Sequence, residues 1–206
     1  MTLLVKSWTT AERFTYRGRF WSFDDIIVEP APLQKPHPPL WMGAASEGSI
    51  RRVAVRGCNL LLDQYGSAEA HAQRITLFRE EVERRGGVFD PMSVIVARNL
   101  YVASDAADKD EALRRYRAGQ ERTLAVSRDP NRPGGSHILR YDGSDTEESM
   151  LYGTPDEIAA MLEDLQRAGV HYVLMAVSGG VAQLRRFARD IMPAFAGSAP
   201  AADAAE

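Results

Sequence analysis

Apolar residues in this chain come in short runs separated by amphipathic stretches, a pattern that predicts alternating strands and helices. Four runs have strand length and are apolar at consecutive positions, as in strands buried on both faces, and they lie at 40–45, 59–65, 93–103 and 171–177. Each is followed by a segment with apolar residues at helical spacing, and these lie at 47–57, 68–85, 105–126 and 181–195. A further helix is predicted to begin at Thr154-Pro155, where Glu157 completes a capping box. This order predicts an α/β fold, a parallel sheet covered by helices.

The remaining segments predict connectors and a hairpin. Aromatic residues on both sides of Gly18 favour a short hairpin or an extended flap over 14–23. Five prolines within 30–39 indicate an extended connector, because proline cannot donate to a strand or helix hydrogen bond. Residues 128–150 contain two prolines and three glycines, so we expect a functional lid or a disordered loop that is the most mobile internal segment.

Composition excludes several classes of protein. Of the 206 residues, 45% are hydrophobic and 26% charged, which is typical of a globular domain. The net charge of −3 does not favour nucleic-acid binding, and no apolar run is long enough to cross a membrane. The single cysteine, Cys58, excludes an internal disulfide and a cysteine zinc site, and no histidine pair has metal-ligand spacing. His71 is expected on a helix surface. We expect a cytoplasmic protein with no metal, nucleic-acid or membrane partner.

Four sequence motifs resemble those of one enzyme family. They are F-x-x-x-G at 14–18, P-x-P-x-Q-x-P-x-P-P at 30–39, L-W-M-G-A-A-S-E-G-S at 40–49 and G-T-P-D-E-I at 153–158. Over about residues 8–196 the chain resembles the bacterial luciferase-like flavin-dependent monooxygenases. The resemblance implies a parallel (β/α) half barrel that matches strands five to eight of a TIM barrel. It also implies one luciferase-like domain over 1–197, with a disordered tail at 198–206.

The resemblance further implies that the chain is incomplete. The family's first four strands, with the groups that line the reactive face of the flavin, have no counterpart here. We therefore expect a truncated open reading frame or one half of a split protein. Such a chain would form a homo-oligomer or pair with the missing N-terminal half, because open sheet edges and apolar faces recruit other chains.

The start of the predicted helix after the first strand is the candidate cofactor site. Helix N-termini attract phosphate, and Ser46 and Ser49 place two hydroxyls on one side of the first turn. From the residues alone, an ordinary N-cap is the preferred explanation of Ser46. The resemblance favours a flavin phosphate site formed by Ala45, Ser46, Gly48 and Ser49. The implied cofactor is FMN, with a deazaflavin as the alternative.

Three other polar residues are candidates for binding substrate. Asp63 and Gln64 follow the second predicted strand, and the carboxyl ends of parallel strands carry the active sites of barrels. Asp63 is equally explained as a cap for the next loop. Arg98 interrupts the third strand, where it can meet an anionic group, form an internal ion pair or lie at a strand edge.

The resemblance implies an oxidoreductase, a monooxygenase that uses reduced FMN and O2 on a small organic substrate. A separate flavin reductase is an implied partner. Two alternatives remain: a non-catalytic half-barrel remnant that keeps a phosphate site, and a subunit that completes a barrel with a second polypeptide. The sequence does not identify the substrate.

Overall fold

The computed structural model describes residues 1–127 and 149–197. The tail predicted at 198–206 lies outside the described residues, as does the predicted mobile loop apart from its last two residues. The chain divides into two compact units at residue 41. The prediction of one domain over 1–197 stays a prediction.

The first unit contains a helix and the predicted hairpin. Helix α1 (Thr2–Thr9) precedes strands β1 (Phe14–Arg17) and β2 (Ser22–Ile26), which pair antiparallel. The Gly18 amide donates to the Trp21 carbonyl over 2.8 Å and closes the turn. A Cβ at Gly18 would lie 2.6 Å from the Tyr16 ring and 3.1 Å from the Trp21 carbonyl oxygen, so a larger residue fits this turn only if the tyrosine moves.

The second unit is the predicted α/β structure. Its strands are β3 (Trp41–Gly43), β4 (Asn59–Leu62), β5 (Val94–Val102), β6 (Leu151–Gly153) and β7 (Tyr172–Val177). Its helices are α2 (Glu47–Val55), α3 (Ala68–Arg84), α4 (Ala106–Ser127), α5 (Pro155–Arg167) and α6 (Val181–Asp190). The strand order is β3-β4-β5-β6 with β7 also on β5, and the β4, β6 and β7 pairings with β5 are parallel. The predicted α/β half-barrel class is confirmed.

Strand β5 is the centre of this sheet. Seven of its nine residues are buried, and it pairs with three other strands. Along one edge β4 pairs with its first residues and β6 with its last, through Leu62↔Val96 and Leu100↔Leu151. Residues 95–100 pair with β7 along the other edge. The fully buried apolar side chains of the unit gather around this strand and include Leu60, Leu62, Val96, Leu100, Val102 and Ile158.

Strand β6 is an element that the hydrophobic pattern did not predict. It has three residues and follows directly on the long loop, so neither its length nor its alternation separates it from a turn. The structure identifies it through its register with β5, where Tyr101 pairs with Tyr152. The rings of this pair lie 5.7 Å apart, and a further contact between Tyr116 and Tyr152 at 5.9 Å brings helix α4 against the strand.

One face of the sheet is only partly covered. In the β5–β7 register, Ile95 pairs with Tyr172 and Ala97 with Leu174, so these four side chains share a face. Tyr172 is 39% exposed and Leu174 50%. The exposure of β7 alternates residue by residue, as in a strand with one open face. We call the surface around Tyr172 and Leu174 the open face.

The helices of the described residues include none that is both long and apolar enough to span a membrane.

Helix α5 begins with the predicted capping box, which yields a test of the local fold. The Glu157 carboxylate accepts from the Thr154 amide over 2.7 Å, and the Thr154 hydroxyl accepts from the Glu157 amide over 3.5 Å. Thr154→Ala should lower the free energy of unfolding by about 1 kcal/mol, because the freed amide loses its acceptor. Thr123→Ala, on the exposed side of α4, is the matched control and should not lower stability, because alanine favours a helix more than threonine does. Urea denaturation measures both, and equal stabilities would contradict the capping role.

Candidate functional site

The first turn of α2 presents two serine hydroxyls and no ordinary side-chain cap. Ser46 occupies the N-cap position with extended backbone angles, yet its side chain accepts no hydrogen bond from the helix amides. Its hydroxyl instead donates to the Ser49 hydroxyl over 2.9 Å, and the Ser49 hydroxyl donates to the Ser46 carbonyl over 2.7 Å. The ordinary N-cap bond that sequence reasoning allowed for Ser46 is therefore not made here.

This helix start retains free donors. The Ser49 and Ile50 amides both donate to the Ser46 carbonyl, whereas the Glu47 and Gly48 amides have no acceptor within the described residues. The N-terminus of a helix also carries a partial positive charge. Unused amides and hydroxyls at such a position form a site that suits an anion.

An arginine lies next to the same turn. A Cβ at Gly48 would lie 3.5 Å from a terminal nitrogen of Arg52, so this guanidinium approaches the helix start. In the part of the chain that the structure describes, Arg52 forms no ion pair. Ala45, Ser46 and Gly48 are exposed and Ser49 is half-buried, so the predicted cofactor residues lie together on an accessible turn with a cation beside them.

The loop after β4 carries the first two candidate substrate residues. Asp63 accepts from the Tyr65 amide over 3.0 Å through one oxygen, and its other oxygen lies 3.5 Å from Arg74. The Gln64 side chain donates to the Tyr65 hydroxyl over 2.9 Å. Asp63 thus caps its own loop, as one sequence interpretation proposed, and it also lies in an ion pair. Both side chains remain partly exposed.

Arg98 is held by groups of this chain. Its side chain is 1% exposed, and the guanidinium donates to the Gly66 carbonyl over 2.7 Å and the Ala97 carbonyl over 3.0 Å. The terminal nitrogen that donates to Ala97 also lies 3.1 Å from His71 Nε2. Burial lowers the pKa of Arg98 to about 10, and nearby Asp63 opposes that shift. Arg98 therefore remains charged at neutral pH and ties β5 to the loop of Asp63 and Gln64.

His71 is buried, which corrects its expected position on a helix surface. It is 0% exposed, and its Nε2 accepts from the Arg98 guanidinium. Burial, and then the positive charges of Arg98 and Arg74, lower its pKa to about 4. The imidazole is therefore neutral at pH 7, with its proton on Nδ1, for which the described residues offer no acceptor.

Gly66 allows this cluster to close. A Cβ at this residue would lie 2.8 Å from the His71 ring and 3.2 Å from an Arg74 nitrogen. Because His71 is fully buried, a larger residue at this position would have to displace its ring or the loop. The sequence signal for this packing was a glycine two residues after Gln64.

A cavity of about 570 Å³ adjoins Arg98. Its polar lining includes Ser67, Glu69, Lys109, Tyr152 and Asp164, which sequence reasoning did not single out. Lys109 forms an ion pair with Glu157 at 3.0 Å, and the Tyr152 hydroxyl lies 2.8 Å from that of Ser178. Charges of both signs line the cavity, so its electrostatics select no single ligand class.

No group of three potential metal-ligating side chains occurs within 1–127 and 149–197.

Comparison with known proteins relates this chain to flavin-dependent enzymes. The profile of the luciferase-like monooxygenase family matches residues 1–172. The FMNH2-dependent dimethylsulfone monooxygenase of Pseudomonas putida is 24% identical in an alignment of 209 positions. The alignment covers 92% of this chain and 55% of that protein. The chain thus spans about half the length of this curated relative.

Solved structures share the fold. The monooxygenase RslO1 from Streptomyces bottropensis superposes with a TM-score of 0.74 and 20% identity, covering 95% of this chain and 59% of that one. An F420-dependent secondary alcohol dehydrogenase, bound to an F420-acetone adduct, gives a TM-score of 0.67 and 16% identity, covering 93% and 58%.

The buried imidazole predicts a pH-dependent stability. The unfolded chain binds a proton at His71 below its ordinary pKa of 6.5, whereas the folded chain resists protonation down to about pH 4. Stability contributed by His71 is therefore complete above pH 6.5 and decreases as the pH falls through this window. The loss should reach about 3 kcal/mol at pH 4.

The matched variant is His71→Gln, whose side-chain oxygen can accept from Arg98 but cannot titrate. Denaturant unfolding from pH 7 to pH 4 should show a smaller loss of stability in this variant than in the wild type. The carboxylates of the chain titrate equally in both proteins, so the difference between the two losses of stability is due to His71. Identical pH profiles would show that His71 is not the responsible group.

Proposed function

Because the chain belongs to the luciferase-like monooxygenase family, we propose that it is the flavin-binding part of a cytoplasmic monooxygenase that uses reduced FMN and O2 on a small organic substrate. The observation that carries the proposal is the open first turn of α2. Its two serine hydroxyls, two unused amides and adjacent arginine match the needs of a phosphate monoester.

The residues present fit the phosphate end of FMN. In this proposal Ser46 and Ser49 donate their hydroxyls, the Glu47 and Gly48 amides donate from the backbone, and Arg52 adds charge. The hydroxyls are free to redirect their protons, since their present acceptors are each other and one carbonyl. Ala45 and Gly48 leave the approach open because neither carries a side chain beyond Cβ.

Reduced flavin and O2 supply the oxidising chemistry when bound, and the protein supplies binding, orientation and exclusion of water. We assign substrate contact to Asp63 and Gln64, which are partly exposed at the carboxyl end of β4. Arg98 holds their loop through the Gly66 carbonyl, so we propose that it acts on the substrate through this loop.

The cofactor and the reductant are part of the proposal. The dimethylsulfone monooxygenase is FMNH2-dependent by name, which favours FMN and a separate flavin reductase as partner. Because one structural relative is F420-dependent, a deazaflavin is the alternative cofactor. Both cofactors carry a phosphate, so the helix start alone does not discriminate between them.

A second candidate function rests on the open face. Tyr172 and Leu174 are exposed on the sheet, and the chain covers 55% of its curated relative. We propose that the open face is covered by a missing N-terminal half or, in the isolated chain, by a second copy. A half barrel without that cover is the non-catalytic remnant that the sequence left as an alternative.

The phosphate site is tested by Ser46→Ala/Ser49→Ala. Each hydrogen bond to a charged group contributes about 1.5–3 kcal/mol, so the double variant should bind FMN at least about 100-fold more weakly. Riboflavin, which has no phosphate, is the control ligand and should bind both proteins equally. Fluorescence titration measures the affinities, and an unchanged affinity for FMN would remove the site.

The open face is tested by Leu174→Lys. The isolated chain should be oligomeric or aggregation-prone and show little coupled substrate oxidation, because exposed apolar surface associates and water reaches the sheet. A lysine at position 174 should shift the chain towards the monomer in light scattering. Val88→Lys is the matched control, since Val88 is 92% exposed and lies in a loop. A wild-type monomer that oxidises substrate in step with flavin consumption would refute this prediction.

A further inference from the structure

The proposed phosphate site contains an acidic residue that should oppose its ligand. Glu47 is the first residue of α2, between the N-cap serine and Gly48. A carboxylate in the first turn interacts well with the helix dipole but repels a second anion at the same position. A phosphate with nearly two negative charges can bind here only if this carboxylate is neutralised or held aside.

Arg51 makes this contact. Its Nε and one terminal nitrogen lie 3.2 Å and 2.9 Å from the same oxygen of Glu47, one turn earlier in the helix. The third nitrogen of the guanidinium lies 3.3 Å from Glu81 on α3. Arg51 is thus held at both ends, and the Glu47 carboxylate is drawn along the helix towards its C-terminus.

Glu81 provides a fixed anchor. Its side chain is 1% exposed, and Arg84 donates to both of its oxygens over 2.6 Å. Arg85 lies 3.9 Å away. Hydrogen bonds from Arg84, reinforced by Arg51, hold the pKa of Glu81 below its ordinary value, so the anchor is an anion at neutral pH. A buried carboxylate with these partners cannot turn to other positions without losing them.

We propose that Arg51 is a positioning residue for the phosphate site: anchored by Glu81, it neutralises Glu47 and so makes the first turn of α2 available to a phosphate dianion. This inference rests on the proposed function, since it concerns the same site. Arg51 itself does not contact the phosphate. Its effect should therefore disappear when Glu47 loses its charge.

The experiment compares four proteins: wild type, Arg51→Met, Glu47→Gln/Arg51→Met and Arg114→Met. FMN, riboflavin and inorganic phosphate are titrated into each, with affinities measured by fluorescence and calorimetry. Arg51→Met should weaken FMN and inorganic phosphate about tenfold and leave riboflavin unchanged, because one uncompensated negative charge then faces the site. Glu47→Gln/Arg51→Met should restore both affinities to within about twofold.

Arg114→Met is the matched control, because it removes an arginine that is paired with a glutamate in the same way, Glu111, on the exposed surface of α4. It should bind FMN like the wild type. If Arg51→Met binds FMN normally, if Arg114→Met loses as much affinity, or if the double variant is not restored, the inference is wrong while the proposed function stands. If the wild type binds neither FMN nor inorganic phosphate, the proposed function fails first and the inference fails with it.

Discussion

The need to satisfy every backbone polar group of the buried strand β5 determines how the second unit is arranged. In a strand, alternate residues direct their amide and carbonyl groups to opposite edges. Strand β7 serves one edge, where the Leu100 carbonyl accepts from the Ser178 amide. Beyond the end of β7, two side chains of α6 pair with the backbone of β5. Gln183 accepts from the Val102 amide, and Arg186 donates to the Val102 carbonyl. This is why α6 packs at the end of β5.

The other edge of β5 is shared by two short strands with a gap between them. Strand β4 pairs up to residue 96 and β6 begins at residue 100, so the Ala97 carbonyl faces the gap. Arg98 fills the gap by donating to this carbonyl and to the Gly66 carbonyl. His71 Nε2 accepts a further hydrogen bond from the same guanidinium. A charge in a buried strand is costly unless its donors are used. Here the same bonds fix the loop of the candidate substrate residues.

The sequence predicted the elements well because their signals are local. Hydrophobic runs, the Thr154 capping box and the glycine-centred hairpin each depend on a few neighbouring residues, and the structure confirms them. The short strand β6 could not be predicted, because only its register with β5 distinguishes it from a turn. The sequence also could not show that the Ser46 hydroxyl turns to Ser49, since that choice depends on backbone angles at the helix start.

Two buried polar residues did leave a signal. His71 and Glu81 lie on the same stripe of α3 as Ile75 and Phe78, at helical spacing. A polar residue on an apolar stripe is expected to have buried partners, but sequence alone does not identify them. The partners come from other elements: Arg98 from β5 for His71, and Arg51 from α2 for Glu81. Tertiary contact, which periodicity does not encode, therefore decides what these residues do.

Binding and oxidation have different structural requirements, and the described part of this chain meets them unequally. In the proposed function, a phosphate needs only the first turn of α2, and this turn is fixed within the unit by contacts between α2 and α3. Oxidation also needs a site from which water is excluded, because reduced oxygen species are otherwise lost to solvent. The open face, with Leu174 half exposed, does not provide that shelter. If the proposed function holds, phosphate binding and coupled oxidation should therefore separate, with the first depending on α2 and the second on whatever covers the sheet.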